Sequence, residues 1–489
     1  MISRFRLILA ISSIGLLCGP IHAAETSSEP ALAKLKKTID GVISPSKLKY
    51  LQSGVYAYSL DKNETLYEYN SDEKLIPASV NKIFTAYTAL KKLKPNATFK
   101  TNISYTGSLK EGKLQGDLYL KGGGDPSFVS ERLWMLVNEL MRSGIRVVTG
   151  DIYVDASYFD SENTPQSRPK YLKDQAYNAP IGALSFNFNT TTIYVRPGDA
   201  PGEAPVVYTD PKNAYIDVVN QAKTGKAGAN QSITVSRTDF VKGDIGDTIL
   251  LRGTIPLDHK ELRFYRNIVN PGLYAGHMFK TFFEDRGLKI EGSVKEAAVP
   301  SNAKQILEFE SIPLWQVVWG MNKFSNNFVA DMILKKVGAE AWGVPGTLAK
   351  GVTALEDALE DIGIARKSYA IQDGSGLTRN TRVTARQIVT VLKAAQRDFS
   401  LSSEFVSSLG IGGEDGTLKN RFPSMAGHPM VRGKTGTLDG VTALAGYAQT
   451  EEGEKIAFAV LLNDPKEKYG RMTPWADQIA TALTRFSRK

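Results

Sequence analysis

Val431-Arg-Gly-Lys434-Thr435-Gly436-Thr437-Leu438, then Asp439-Gly440, then Val441-Thr-Ala-Leu-Ala-Gly-Tyr-Ala448, is the stretch whose reading decides the fold. An Asp-Gly pair between two strand-like runs predicts a tight hairpin. Lys434, two hydroxyls and a glycine then lie along one strand. The lysine attracts a carboxylate, and Thr435 and Thr437 can hydrogen-bond it. Gly436 has no side chain to keep a ligand backbone away. A strand so equipped can hold the C-terminal end of a peptide.

Further strand-like runs lie at 441–449 and 455–463, and near the start of the chain at 54–60 and 65–69. With the Lys434 run they make five candidate antiparallel strands, two from one end of the chain and three from the other. A helix pattern over 30–43 precedes them and another, 474–486, closes the chain. A sheet built from both ends implies that the middle folds on its own terms. The expected organisation is a signal segment over 1–24, a unit built from both ends of the chain, 25–95 and 268–489, and a β-rich insertion over 96–267 made of two nested modules. Helical patterns return at 313–323, 327–337, 347–361 and 384–396, the last opened by a Thr384-x-x-Gln387 capping box. The fold class expected is α+β, with a five-stranded antiparallel sheet flanked by helices.

The first residues carry a basic start at Arg4 and Arg6, an apolar run from Leu7 to Leu17 and small residues at Ala23-Ala24, the pattern of a secretory signal. The run is too short to span a bilayer comfortably. Cys18 follows Leu17, a poor fit to a lipid-attachment box. It is the only cysteine, so the exported chain of about 465 residues has neither disulfide nor thiol chemistry. The formal charge of +9 falls to +7 once Arg4 and Arg6 leave. The basic residues are dispersed, which argues against nucleic acid and fits a solvated surface or attraction to anionic envelope polymers.

Ile76-Pro77-Ala78-Ser79-Val80-Asn81-Lys82 opens a helix striped by Ile83, Phe84, Tyr87 and Leu90. Ser79 and Lys82, three apart, share one face. The serine sits at the positive end of the helix dipole, and Lys82 can take its proton only when neutral. Burial and a second cation such as Lys434 would lower its pKa in that direction. Ser-x-x-Lys also occurs at Ser46, Ser71 and Ser301, without a proline-led apolar helix. Ser325-Asn326-Asn327 lies between two helical patterns and can place a hydroxyl and an amide in one cavity, although Ser and Asn also serve as plain helix caps. Lys223-Thr-Gly225 repeats the strand motif in a turn-like setting. Gly433-Lys434-Thr435 ends like a phosphate loop, but His428 stands where the required glycine would be. His259, His277 and His428 show no ligand spacing, and no Gly-x-Ser-x-Gly elbow occurs, so neither zinc nor a Ser-His-Asp hydrolase of that type is expected.

Taken in order, Ser79-x-x-Lys82, Ser325-x-Asn327 and Lys434-Thr-Gly436 resemble the penicillin-binding proteins and serine β-lactamases. Gly122-Gly-Gly-Asp-Pro126, Tyr177-Asn-Ala-Pro-Ile-Gly-Ala-Leu-Ser-Phe-Asn187, Asp373-Gly-Ser-Gly-Leu-Thr-Arg379 and Gly413-Glu-Asp-Gly-Thr-Leu-Lys-Asn-Arg421 narrow the likeness. They are similar to the D-alanyl-D-alanine carboxypeptidase/endopeptidase family, the class C low-molecular-mass penicillin-binding proteins (peptidase family S13). The large insertion is also that family's habit.

The resemblance implies a penicillin-binding/β-lactamase-like domain acting on peptidoglycan stem peptides through an acyl-enzyme on Ser79. Lys82 would be the base, and the N–H groups of Ser79 and Thr437 the oxyanion hole. Ser325 and Lys434 would pass a proton to the leaving amine, while Asn327 orients the substrate amide. Lys434, Thr435, Gly436 and Thr437 would hold the terminal carboxylate. Asp155 and Arg379 match family positions that bind a diaminopimelate side chain, whereas Asp439 departs from the uncharged residue of some relatives. The implied partners are peptidoglycan and β-lactam inhibitors, in the periplasm, with no cofactor, metal or transmembrane anchor. A β-lactamase, or a non-catalytic peptidoglycan-binding scaffold, is the rival reading.

Overall fold

The computed structural model describes residues 29–43, 50–165, 168, 173–212, 214–238, 246–425 and 430–489. The expected signal segment over 1–24 lies outside them, as does His428.

The Asp439-Gly440 turn joins two inner strands of a six-stranded antiparallel sheet. Its strands are β1 (Gln52–Ser59), β2 (Glu64–Tyr69), β3 (Gly410–Ile411), β4 (Val431–Leu438), β5 (Val441–Gln449) and β6 (Lys455–Asn463), in the order β2-β1-β6-β5-β4-β3. Leu438 pairs with Val441, and Gly440 takes φ +71, the left-handed conformation a two-residue turn requires. Five strands are those expected. The sixth, β3, is two residues long and carries no pattern by which a sequence announces a strand. It pairs only with Arg432 and Gly433, so among the described residues no strand lies beside the Lys434–Leu438 edge.

Helices cover both faces of the sheet, which is why β5 and β6 read as near-continuous apolar runs rather than alternating ones. On one face α1 (Glu29–Ile43) and the closing helix (Thr473–Thr484) pack on Leu444, Val460 and Leu462. On the other, Ala443, Ala445 and Leu461 share a core with α2 (Lys82–Leu93), α3 (Leu314–Lys323), α4 (Asn327–Trp342), α5 (Leu348–Glu360) and α6 (Ala385–Arg397). The expected capping box opens α6: the Thr384 hydroxyl accepts from the Gln387 amide, and the Gln387 side chain accepts from the Thr384 N–H.

The insertion does not stop at 267. Its five-stranded sheet runs in the order Val294–Glu296, Ile152–Asp155, Leu118–Gly122, Lys100–Tyr105, Lys304–Glu310. Phe283, Ile290 and Phe309 lie in the same core as Ile103 and Leu120. Residues 268–310, assigned from sequence to the catalytic unit, therefore belong with the insertion. The reason is strand pairing over some 200 residues of chain, Lys304 opposite Tyr105, which a local pattern cannot show. Between Ile152–Asp155 and Val294–Glu296 a second group of strands pairs within itself: Thr190–Arg196 with Val206–Asp210 and Leu262–Asn267, and Asp247–Arg252 with Ile216–Asn220 and Thr234–Thr238. One segment of the insertion crosses to the catalytic helices, where Phe159, Ala179, Ile181 and Ala183 join their core.

Candidate active site

The chain reaches Ser79 through an α2 entrance that is tighter than expected. Ala78–Asn81 form a 3₁₀ turn, and the α-helix proper begins at Lys82. Ser79 is thus held in the turn before the helix rather than in its first α turn. Ala78 adopts φ +46, a conformation that costs a non-glycine residue about 1–2 kcal/mol. The turn is clamped by Gly376, where a Cβ would stand 2.0 Å from the Ala78 carbonyl oxygen.

Lys82 has lost all contact with solvent, at 0% exposure. Its Nζ lies 2.9 Å from Ser79 Oγ, 2.7 Å from Asn327 Oδ1 and 2.7 Å from the Ser375 carbonyl oxygen. Asn327 Nδ2 donates to the Tyr177 carbonyl at 3.0 Å, which orients the amide with its oxygen toward the lysine. Two of the three partners are therefore pure acceptors. An ammonium fills all three directions with N–H. A neutral amine spends its two N–H groups on Asn327 and Ser375, and its lone pair must then face the Ser79 hydroxyl. Burial pulls the lysine down to about 7, opposed by the Asp331 and Asp373 carboxylates and reinforced by the Arg168 guanidinium.

Lys434, on β4, is equally buried, and its Nζ donates to Ser325 Oγ at 2.8 Å and to the Thr435 carbonyl at 2.9 Å. Burial first, and the Lys82 charge second, push it well below the ordinary lysine range. Ser325 sits in the corner between α3 and α4 at φ +57. The cap of α4 is Asn326, whose side chain accepts from the Val329 amide at 3.1 Å. With that duty taken by the middle residue, Ser325 and Asn327 are left to face Lys434 and Lys82.

Gly436 follows Lys434 on the same face of β4 and meets the Ser79 turn, not an open groove. The alternate positions hold Thr435, whose hydroxyl bonds Thr417 Oγ1 at 2.8 Å, and Thr437, opposite Thr442. Arg379 reaches the same hairpin and donates to the Asp439 carbonyl at 2.7 Å. Asp155 does not join this group. It is buried in the insertion sheet, its carboxylate accepting from the Ser157 and Val299 amides and pairing with Lys121.

Sequence reading missed three contributors. The Ser375 carbonyl comes from the quoted Asp373-Gly-Ser-Gly run, where a main-chain role leaves no mark on residue type. Asp331 stands one helical turn after Asn327 and is fully buried; its mark in the sequence is a lone acid within the apolar run Phe328–Leu334. Arg168 arrives from the insertion, paired to Asp331, and no local pattern could associate residues 163 apart.

The sequence model of the D-Ala-D-Ala carboxypeptidase 3 (S13) family matches residues 35–482. The chain is 33% identical over 463 residues to a D-alanyl-D-alanine carboxypeptidase of Actinomadura sp. (strain R39), covering 91% of this chain and 84% of that one. It is 27% identical to D-alanyl-D-alanine carboxypeptidase DacB of Haemophilus influenzae, over 84% and 85% of the two chains. The crystal structure of penicillin binding protein 4 (dacB) from Haemophilus influenzae superposes with a TM-score of 0.78 at 24% identity, covering 91% of this chain and 98% of the other. A second structure of that protein, complexed with a β-lactam, has a TM-score of 0.72 at 24% identity, over 92% and 98%. The six-stranded sheet with helices on both faces is thus the penicillin-binding fold, carrying a large β-rich insertion. The chain belongs to the D-Ala-D-Ala carboxypeptidase 3 (S13) family of enzymes.

Proposed function

We propose that this enzyme is an exported serine D,D-peptidase of the bacterial periplasm. It would cleave the D-Ala-D-Ala end of peptidoglycan stem peptides, the D-Ala-diaminopimelate crosslink, or both. The observation that carries the reading is the pair of buried lysines, each bonded to a serine hydroxyl, with the Lys82 lone pair restricted to Ser79.

The peptide lies along the open edge of β4, as an added strand would. Its terminal carboxylate meets Lys434, Thr435 and Thr437. Ser79 Oγ attacks the carbonyl carbon while its proton passes to Lys82. Charge on the carbonyl oxygen is met by the N–H groups of Ser79 and Thr437. As the C–N bond breaks, a proton reaches the leaving amine through Ser325, relayed between the two lysines. Asn327 holds the substrate amide. Water then cleaves the ester on Ser79 and restores the hydroxyl.

A β-lactam presents the same carbonyl and carboxylate, and its ring opens onto Ser79. The β-lactam carried by the Haemophilus relative is in keeping with this. The test is intact mass after penicillin, followed by D-alanine release from purified muropeptides. One stoichiometric adduct, absent from Ser79→Ala, together with released D-alanine, is the expected result. Penicillin turnover within seconds would favour a β-lactamase. Equal inactivity of wild type and Ser79→Ala on muropeptides would favour a scaffold. Mass separation of digested sacculi distinguishes loss of terminal D-alanine from loss of crosslinked dimers.

A further inference from the structure

The general base is surrounded by more than its three hydrogen-bond partners. Asp331 has 0% exposure and lies on α4 one turn beyond Asn327. One of its oxygens accepts from the Gly374 amide at 2.8 Å. The next residue in that loop is Ser375, whose carbonyl holds Lys82. The other Asp331 oxygen is paired with Arg168, which also donates to Asn178 Oδ1 at 2.8 Å. Arg168 is itself buried, at 5% exposure. It belongs to the insertion segment whose Tyr177 carbonyl orients Asn327. A few residues earlier Asp160 pairs with Lys335 of α4, one further turn along the same helix.

An ion pair without access to water is a poor way to gain stability, since the desolvation of two charges roughly cancels their attraction. Its persistence beside a catalytic lysine calls for another account. We propose that Arg168 and Asp331 form a positioning pair through which the insertion completes the active site: Asp331 fixes the loop that aims the Ser375 carbonyl at Lys82, and Arg168 offsets the Asp331 charge so that the lysine is not held as its ion partner. This rests on the serine-peptidase reading above.

The charges facing Lys82 are Asp331 from α4, Asp373 from the loop between α5 and α6, Arg168 from the insertion and Lys434 from β4. Asp331 favours the ammonium and Arg168 opposes it. Changing the two members of the pair must therefore move the base in opposite directions, which loss of a merely structural contact would not do.

The experiment follows the second-order rate of acylation by a fluorescent penicillin from pH 5 to 9, using the mature chain. Asp331→Asn keeps an oxygen for the Gly374 amide but leaves Arg168 uncompensated, so the acid limb moves to lower pH by about one unit. Arg168→Gln leaves Asp331 to pair with Lys82, and the limb moves to higher pH by a similar amount. Arg168→Lys keeps the charge and returns the limb toward its wild-type position. If Arg168→Gln does not fold, Asp331→Asn and Arg168→Lys carry the comparison. Limbs that stay in place, or that move in the same direction in Asp331→Asn and Arg168→Gln, overturn the positioning role while the peptidase reading stands. No adduct on wild-type Ser79 overturns that reading, and this inference with it.

Discussion

Gly436 lies against Ser79: a Cβ built on the glycine would stand 3.1 Å from the Ser79 amide nitrogen and 2.4 Å from the Pro77 carbonyl oxygen. The missing side chain admits the protein's own nucleophile turn. Both neighbours are backbone, so Gly436→Ala can be accommodated only by moving β4 away from Ser79. That separates the two strands of chain proposed to supply the oxyanion hole. We expect acylation by penicillin to fall about 100-fold, the scale of a displacement of about 1 Å at a reacting centre. Circular dichroism should show an intact fold. Wild-type rates in Gly436→Ala would remove β4 from the mechanism.

The protonation of Lys82 sets a second expectation. A lysine acts as base only when neutral, and burial brings its proton off at about 7. The acylation rate should therefore rise as pH climbs through about 7 and level off above it. The sign follows from a base whose active form is the deprotonated one. A rate independent of pH between 5 and 9 would exclude a titrating Lys82 from the rate-limiting step.

Ser325 separates strain from chemistry. Its φ of +57 costs a side-chain-bearing residue about 1 kcal/mol, which glycine does not incur. Ser325→Gly should therefore be more stable than Ser325→Ala by about 1 kcal/mol in urea unfolding. Both lose the hydroxyl that accepts from Lys434, and both should release D-alanine far more slowly than wild type. Activity that tracked stability across the pair would show that the hydroxyl itself is dispensable.

Asp155 and Arg379 should part company. The Asp155 carboxylate is consumed by two backbone amides and Lys121, so Asp155→Ala should lower stability by about 1–3 kcal/mol while leaving acylation unchanged. Arg379, exposed beside the β4–β5 turn, should do the reverse. Arg379→Ala should keep the melting temperature and raise KM for stem peptides bearing a free carboxylate near the scissile bond. Comparing KM for such a peptide with KM for an uncharged analogue checks this; an equal change in both would sink the idea.

The central sheet was legible because each of its main strands carries its own record. Val441–Gln449 and Lys455–Asn463 are near-continuous apolar runs, and Asp439-Gly440 marks the turn between the first of them and the Lys434 strand. The three motifs were legible because a nucleophile, a lysine and a hydroxyl must be particular residue types. Less was written about what the main chain does. The Ser375 carbonyl and the Tyr177 carbonyl hold the base and its amide, yet any residue offers a carbonyl. The sixth strand, the run of the insertion to Glu310 and the 3₁₀ turn at Ser79 depend on partners far along the chain.

Residue type and local order thus determined by themselves which groups could react and which segments would be strands or helices, because propensity and apolar spacing act over a few residues. Tertiary structure alone decided which way the Lys82 lone pair points and how far the lysine's pKa falls. It also decided that an arginine from the insertion should pair with the buried Asp331. Those properties come from desolvation and from charges brought together across more than 150 residues, and no stretch of sequence contains them.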